Sequence, residues 1–346
     1  MSFENQLVKW YKNNKRDLPW RKNNDPYSVW ISEVILQQTR VVQGTKYYNE
    51  FLEKFPNIQS LASSKESEVL NVWKGLGYYN RAINLHKSSQ YIASNLDGKF
   101  PKTYNEIIKL KGVGDYTASA ISSICFNEFN PVVDGNVLRL LSRYYGLKTP
   151  IDSLKSQRKI KEIGQKLINK TNNPGDFNQA MMEFGALVCT PFPDCESCVF
   201  SSKCVAFNSN EVEKIPVKSK KKKSKERFFN YIIFIDNKNY TMVNKRSNKD
   251  IWYKLNEFPL IESKRDIKNI TSFPEFKKFI KSKSIVINEE MYKKEKIKHI
   301  LSHQILYITF HHFSISQDIS QGIHLSKLNK YNFPVPITNF INKLLI

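Results

Sequence analysis

Leu7, Trp10 and Tyr11 recur at helical spacing near the start of the chain, and the pattern breaks at Pro19 and Pro26, which predicts a short helix followed by a loop. The next run, Val29-Trp30-Ile31-Ser32-Glu33-Val34-Ile35-Leu36-Gln37-Gln38-Thr39, leaves so little polar surface that it reads as a buried helix. Glu33 is the exception within it. A carboxylate in that company is costly unless it is hydrogen-bonded or protonated; the competing reading is a solvated acid on the helix's outer stripe. Helical patterns continue at Tyr47–Phe55, Glu66–Lys74, Asn80–Asn95 and Tyr104–Leu110, joined by Pro56, Gly75-Leu76-Gly77 and Gly98–Pro101, and resume at Ser156–Asn169 and Phe177–Leu187. Short, regular connections without strands between them predict an all-α domain. After Asn208 the pattern changes. Lys218–Arg227 is a charged run, and Tyr231–Ile235 and Gln304–Phe310 are rich in β-formers, which predicts a smaller α+β domain. The expected organisation is a helical domain over 1–208, a basic linker over 209–227 and the α+β domain over 228–346.

Two kinds of chemistry sit on adjacent backbone in Leu110–Arg139. Leu110-Lys111-Gly112-Val113-Gly114 reads as a helix end and a two-glycine turn, and Asp115 opens the next helix. Backbone without a Cβ at Gly112 and Gly114 can approach a ligand closely, and helix-start N–H groups carry the positive end of the helix dipole, so the turn is a suitable anion seat. Val132-Val133-Asp134-Gly135-Asn136 ends an apolar run at an acid, where a new helix begins; Asp134 alone would be read as an N-cap. Gly75-Leu76-Gly77-Tyr78-Tyr79 is a second glycine turn, whose tyrosines either pack in the core or reach an unstacked base.

Charge narrows the partner class. Lys and Arg number 54 against 32 Asp and Glu, and the formal charge of +22 points to an acidic polymer. No apolar run is long enough for a membrane span and the first residues lack a signal-peptide core, so a soluble, cytoplasmic protein is expected, with no membrane partner. Four of the five cysteines, Cys189, Cys195, Cys198 and Cys204, crowd into one segment, which favours a metal site over disulfides. Zinc and an iron–sulfur cubane both accept four cysteines, and the count does not choose between them. Cys125, inside the apolar run Ile121–Phe126, reads as an ordinary buried thiol.

Taken together, SEVILQQT, GLGYYNRA, LKGVGDYTA, VVDGNVLR, FNQAMMEFGALVCT and the cysteine segment resemble the helix-hairpin-helix DNA glycosylases, most closely those of the MutY type that act on adenine. The resemblance covers roughly residues 3–208. It implies an all-α helix-hairpin-helix glycosylase domain with an iron–sulfur loop, holding a [4Fe–4S] cluster on Cys189, Cys195, Cys198 and Cys204. It also implies a monofunctional, monomeric enzyme acting at the bacterial nucleoid on double-stranded DNA that contains adenine opposite 8-oxoguanine or guanine. Carried residue by residue, it makes Glu33 the general acid at adenine N7 and Asp134 the carboxylate that stabilises an oxocarbenium-like sugar, with Tyr116 packed near Asp134 and Asn136 orienting the acids. Arg16, Trp20, Arg21, Leu36 and Gln179 match the pocket for a flipped adenine. Gln38 and Tyr78 match residues that fill the gap in the duplex, Thr39 and Leu76 lie near the opposite base, and Gly112 and Gly114 seat a phosphate.

The later part of the chain resembles the Nudix-like C-terminal domain of the same family. Leu255-Asn256-Glu257-Phe258-Pro259 stands where the family has LWEFP, and Leu301-Ser302-His303 where it has FSH, so Ser302 and His303 are expected to sense the oxidised guanine. Asn256 and Leu301 depart from that pattern, and the first cysteine gap is five residues where the family usually has six. No Glu-rich Nudix hydrolase signature occurs, so the domain is expected to read a base and not to hydrolyse a nucleotide. Two rivals remain. A bifunctional glycosylase/lyase of the endonuclease III type would have a Lys where Tyr116 stands, and a non-catalytic DNA-binding relative would have no need of both acids.

Overall fold

The computed structural model describes residues 1–219, 224–287 and 292–345. By internal contacts the chain divides into two compact units, one of Met1–Val72 with Arg81–Lys221, the other of Trp73–Asn80 with Lys222–Ile346.

The first unit is helical: α1 (Phe3–Asn14), α2 (Pro26–Leu36), α3 (Val41–Lys54), α4 (Ile58–Ser63), α5 (Glu66–Val72), α6 (Asn80–Asn95), α7 (Tyr104–Ile107), α8 (Asp115–Phe126), α9 (Gly135–Tyr144), α10 (Leu154–Ile168), α11 (Pro174–Leu187) and α12 (Val205–Asn208). Local sequence starts most of them. Ser2, Asp25, Asn57, Asp134, Ser153 and Asn173 each accept a backbone N–H of the helix they precede, and Pro26 and Pro174 occupy first helical positions, where no N–H is needed. Leu7 and Tyr11 of α1, Leu140 and Leu141 of α9, Ile160 of α10 and Phe177 and Phe184 of α11 form one core. α2 packs between α3 and α8 and is buried nearly all round.

One expectation is corrected here, and two features go beyond the sequence reading. The helix expected to run to Thr39 ends at Leu36, because Arg81 Nη1 takes the carbonyls of Val34, Ile35 and Gln37 at 2.8, 2.8 and 2.6 Å and Gln38 turns into the left-handed region at φ 57°. α4 was not foreseen; its signal is the reciprocal cap of Asn57 and Ser60 below buried Ile58 and Leu61. Parts of the expected linker over 209–227 make definite contacts. Ile215 is buried, Arg143 Nε donates to its carbonyl at 2.8 Å, Ile151 N–H donates to the Val217 carbonyl at 2.9 Å, and Lys225–Arg227 already belong to a strand; Lys220–Lys223 lie outside the described residues.

The second unit is built on the strands β1 (Lys225–Asp236), β2 (Tyr240–Thr241), β3 (Asn244–Lys245), β4 (Asn256–Glu257), β5 (Leu260–Ser263), β6 (Lys293–Ile300), β7 (Gln304–Ile315) and β8 (Ile323–His324), with helices α13 (Pro274–Ser282) and α14 (Val335–Leu344). The main sheet runs β6-β7-β1-β2-β8, with β5 also on β1, and β1 and β7 are parallel from Lys225↔Gln304 to Asp236↔Ile315. The apolar run of β1 is unbroken because both faces are covered. Phe229, Tyr231 and Ile233 meet Phe340 and Ile341 of α14, while Ile232 and Phe234 meet Phe276 of α13.

Candidate active site

Burial of α2 on every side puts Glu33 among apolar neighbours at 8% exposure. That desolvation lifts its pKa to about 7 from 4.5; the nearby Asp134 charge adds to the rise, while a hydrogen bond with Tyr116 and the charge of Arg21 oppose it. Tyr116 stands in the first turn of α8, and its hydroxyl also lies 3.3 Å from Met182 Sδ.

Asp134 does what an N-cap does: Oδ1 accepts the Val137 N–H at 2.7 Å. It does more than that, because Oδ2 accepts Asn136 Nδ2 at 2.8 Å and the carboxyl is close enough to Glu33 to raise its proton affinity. Burial raises the pKa of Asp134 as well, opposed by the hydrogen bonds from Val137 and Asn136 and by Arg139. Glu33 lacks that set of backbone and amide donors. The two acids therefore have different surroundings: one is poised to hold a proton near neutrality, the other is equipped to bear charge. Arg139 fastens the arrangement, with Nη2 on Asn136 Oδ1 at 3.0 Å and on the Gly185 carbonyl at 2.7 Å, and Nε on the Cys189 carbonyl at 2.7 Å.

The expected pocket residues fall into two groups. Arg16 and Arg21 are held by Glu183, which was not singled out from the sequence: Arg16 Nε and Nη2 lie 2.9 and 2.7 Å from its two oxygens, and Arg21 Nη2 lies 2.9 Å from Oε2. These bonds override burial and bring the Glu183 carboxyl down to about 2. Gln179 accepts the Tyr11 hydroxyl at 3.2 Å, Trp20 packs edge-on to Tyr48, and Leu36 is half-buried at the end of α2. Gln38 is exposed just past that helix, with Thr39 N–H bonded to the Leu36 carbonyl at 3.2 Å. Arg81 and Arg139 were also missed, although each lies inside a quoted motif; a lone arginine announces nothing until its acceptors are known.

Gly112 has φ 82°, and a Cβ there would come within 2.6 Å of Asn84 Cβ, so the turn before α8 requires glycine at that position. Gly114 caps α8 without a side chain, leaving the first-turn N–H groups to outside acceptors. In the second unit, Trp73 Nε1 closes the other glycine turn on the Gly77 carbonyl at 3.1 Å, Leu76 is buried, and Tyr78 is exposed at φ 49°. Ser302 and His303 are exposed between β6 and β7, and the Tyr78 hydroxyl donates to Ser302 Oγ at 3.3 Å.

Cys189, Cys195, Cys198 and Cys204 are all unoxidised and line one cavity together with Leu140, Phe184 and Phe200. Arg143 frames it, with Nη1 3.6 Å from Cys189 Sγ and 2.6 Å from the Thr190 carbonyl. Among the described residues no three His, Cys, Asp or Glu side chains group closely enough to hold a single metal ion.

Residues 31–170 match the model of the HhH-GPD superfamily base excision DNA repair proteins, and residues 230–343 match that of the NUDIX domain. Among solved structures, a thermostable thymine-DNA glycosylase is 28% identical, covers 60% of this chain and 95% of its own, and superposes with a TM-score of 0.55. Endonuclease III in a non-covalent DNA complex, at 22% identity and a TM-score of 0.50 over 61% of this chain and 99% of its own, shares the fold of the helical part. The adenine DNA glycosylase of Buchnera aphidicola subsp. Schizaphis graminum is 35% identical over 98% of this chain and 97% of its own length. That of Mus musculus is 43% identical over 60% of this chain and 42% of its own. Matched from end to end by a relative of that kind, and carrying both domain signatures in order, the chain belongs to the adenine DNA glycosylase family, DNA-binding base excision repair enzymes that remove adenine.

Proposed function

We propose that the chain is a monofunctional, monomeric glycosylase of the bacterial nucleoid that flips out and hydrolytically removes adenine paired with 8-oxoguanine or guanine. One observation carries the reading: Glu33 is a buried carboxyl whose pKa is raised to about 7, with Tyr116 beside it and Asp134 within electrostatic reach. Adenine leaves poorly as an anion. A neutral carboxylic acid protonates its N7, and ionised Asp134 stabilises positive charge developing on the sugar. Asn136 positions Asp134. Tyr116 supplies a hydroxyl where a lyase needs an amine, so no Schiff base forms there and strand cleavage is absent.

Extrusion is needed because the reacting bond is inaccessible within the stack. Arg16, Trp20, Arg21, Leu36 and Gln179 wall the receiving pocket, with Glu183 fixing both guanidiniums. Gln38 and Tyr78, both exposed on left-handed backbone, fill the gap in the duplex, while Thr39 and Leu76 approach the opposite base. The turn Gly112–Gly114 and the open start of α8 seat a phosphate. Ser302 and His303 read the oxidised guanine.

The cysteine segment fits a [4Fe–4S] cluster on Cys189, Cys195, Cys198 and Cys204. Four unoxidised thiols line one cavity, and a cubane would take one thiolate at each of its four irons. When bound it would brace the loop against α9 and supply no catalytic group.

The test is alkali-revealed strand breaks in duplexes bearing adenine opposite 8-oxoguanine, guanine or thymine. Excision from the first two, with no breakage before alkali, is the expected result. Equal excision opposite thymine, or alkali-independent cleavage trapped by borohydride, would overturn it.

A further inference from the structure

The loop between β6 and β7 is a closed turn. Leu301 N–H donates to the Gln304 carbonyl at 2.9 Å, and Lys225 N–H donates to the His303 carbonyl at 3.3 Å, so the backbone of Ser302 and His303 is held at the end of the sheet. Their side chains are exposed, whereas Gln304 is buried behind them. Gln304 Nε2 lies 2.7 Å from His303 Nε2, and His303 Nδ1 lies 3.1 Å from Ser302 Oγ.

The direction of every proton in this row follows from its buried end. Arg227 Nη1 lies 3.3 Å from Gln304 Oε1, and a guanidinium has only donors, so the carbonyl side of the Gln304 amide must face it. Arg227 cannot turn away: Nε and Nη2 are each 2.7 Å from an oxygen of Glu262, Nη1 is 2.8 Å from Asp250 Oδ2, and the guanidinium lies 4.7 Å over the Phe229 ring. With Oε1 committed, the amide NH2 faces His303 Nε2, which must therefore be the bare, accepting nitrogen. The proton of the neutral ring is then on Nδ1 and donates to Ser302 Oγ. Ser302 Oγ also accepts the Tyr78 hydroxyl. An oxygen that accepts two bonds has its own proton left over, and that proton faces outward.

We propose that Gln304, locked by Arg227, is a positioning residue that fixes His303 as the Nδ1–H tautomer and thereby makes Ser302 an outward hydrogen-bond donor. The inference deepens the reading of Ser302 as the sensor of the opposite base and rests on it. A donor recognises an acceptor. Oxidation at C8 of guanine adds a carbonyl acceptor where the normal base has only C–H and turns N7 from an acceptor into an N–H donor, so a Ser302 donor aimed at position 8 gains a partner on the oxidised base.

The full chain labelled with 15N-histidine gives the tautomer directly from long-range 1H–15N correlations, and His303→Ala assigns the signal among the six histidines. The expected result is an unprotonated Nε2 in the wild type. Gln304→Glu supplies an acceptor there and should move the proton to Nε2, turning the Ser302 hydroxyl inward; Gln304→Met should give a mixture. The preference for 8-oxoguanine over guanine in adenine-mismatch binding should fall about tenfold in Gln304→Glu, as in Ser302→Ala, the loss expected for one hydrogen bond. A cooperative thermal melt establishes that each variant is folded. An Nε2–H ring in the wild type, or a ring that does not respond to Gln304→Glu, would overturn the inference. So would a flipped tautomer with full preference while Ser302→Ala loses it. If Ser302→Ala itself keeps full preference, the reader assignment falls, and the tautomer measurement still decides the role of Gln304.

Discussion

A Cβ placed on Gly185 would lie 2.7 Å from Asn136 Cβ and 2.9 Å from the Asn136 carbonyl oxygen, so α11 and α9 meet backbone to backbone beside Asp134. A methyl group there has to push Asn136, whose amide bonds Asp134. Gly185→Ala should destabilise the chain by about 1–3 kcal/mol, as overpacking does, and should slow excision by more than its effect on DNA affinity. Denaturant melts beside single-turnover rates check this, and a variant with wild-type rate would remove Asn136 from the site.

Asp134→Asn separates capping from charge. The amide oxygen still accepts the Val137 N–H, so stability should change by less than about 1 kcal/mol. Excision should fall severely because the sugar loses its counter-charge. If the rate matched wild type, Asp134 would be only a cap.

The general-acid role has a definite pH sign. Glu33 is protonated below its pKa of about 7, so the single-turnover rate should be level below that value and fall as pH rises through it. Glu33→Gln should bind the mismatch and excise nothing. Tyr116→Phe removes a bond that lowers the Glu33 pKa, so its falling limb should move to higher pH. A limb that stays in place would mean that another group controls it.

Glu183 joins α11 to Arg16 and Arg21 with a side chain only 1% exposed. Glu183→Ala leaves two guanidiniums without their acceptor and should cost about 3–5 kcal/mol. The linkage follows from the depressed pKa: stabilisation is present above the ordinary Glu range and is lost as pH falls toward about 2. Acid titration of the wild type against Glu183→Gln tests this, and parallel curves would refute it.

Truncation separates the two units. Because Ile215 is buried against Arg143, the cut belongs after Ser219 and not after Asn208. The shortened chain should still excise adenine from a saturated complex, while its preference for 8-oxoguanine over guanine falls about tenfold. Dissociation constants on both mismatches at fixed salt are the measurement, and unchanged preference would deny the second unit its reading role.

Much of this was legible in the chain. Helical spacing gives most of the first unit, and the apolar runs of β1 and β7 mark the sheet. Glu33 stands out as the one acid in an apolar helix, and Asp134 as an acid ending an apolar run. What escaped was the set of partners that the arginines hold. Arg81 ends α2 early by collecting three carbonyls, and Arg16 and Arg21 are spoken for by an acid more than 160 residues away. Periodicity reports burial, and these residues act through carbonyls and carboxylates whose proximity only the tertiary fold creates. The contacts within the expected linker are hidden for a similar reason: Ile215-Pro216-Val217 is too short to show a period, and its packing on Arg143 and Ile151 is long-range.

Arg139 and Arg143 grip the start of the cysteine loop by the carbonyls of Cys189, Thr190 and Pro191, from a helix whose core also takes in Phe200 of that loop. Order of assembly follows from that grip. In a zinc finger, ligand binding and folding are one event. Here the start of the loop is held by guanidinium–carbonyl bonds that need no ligand, so it can be shaped before the thiols receive anything.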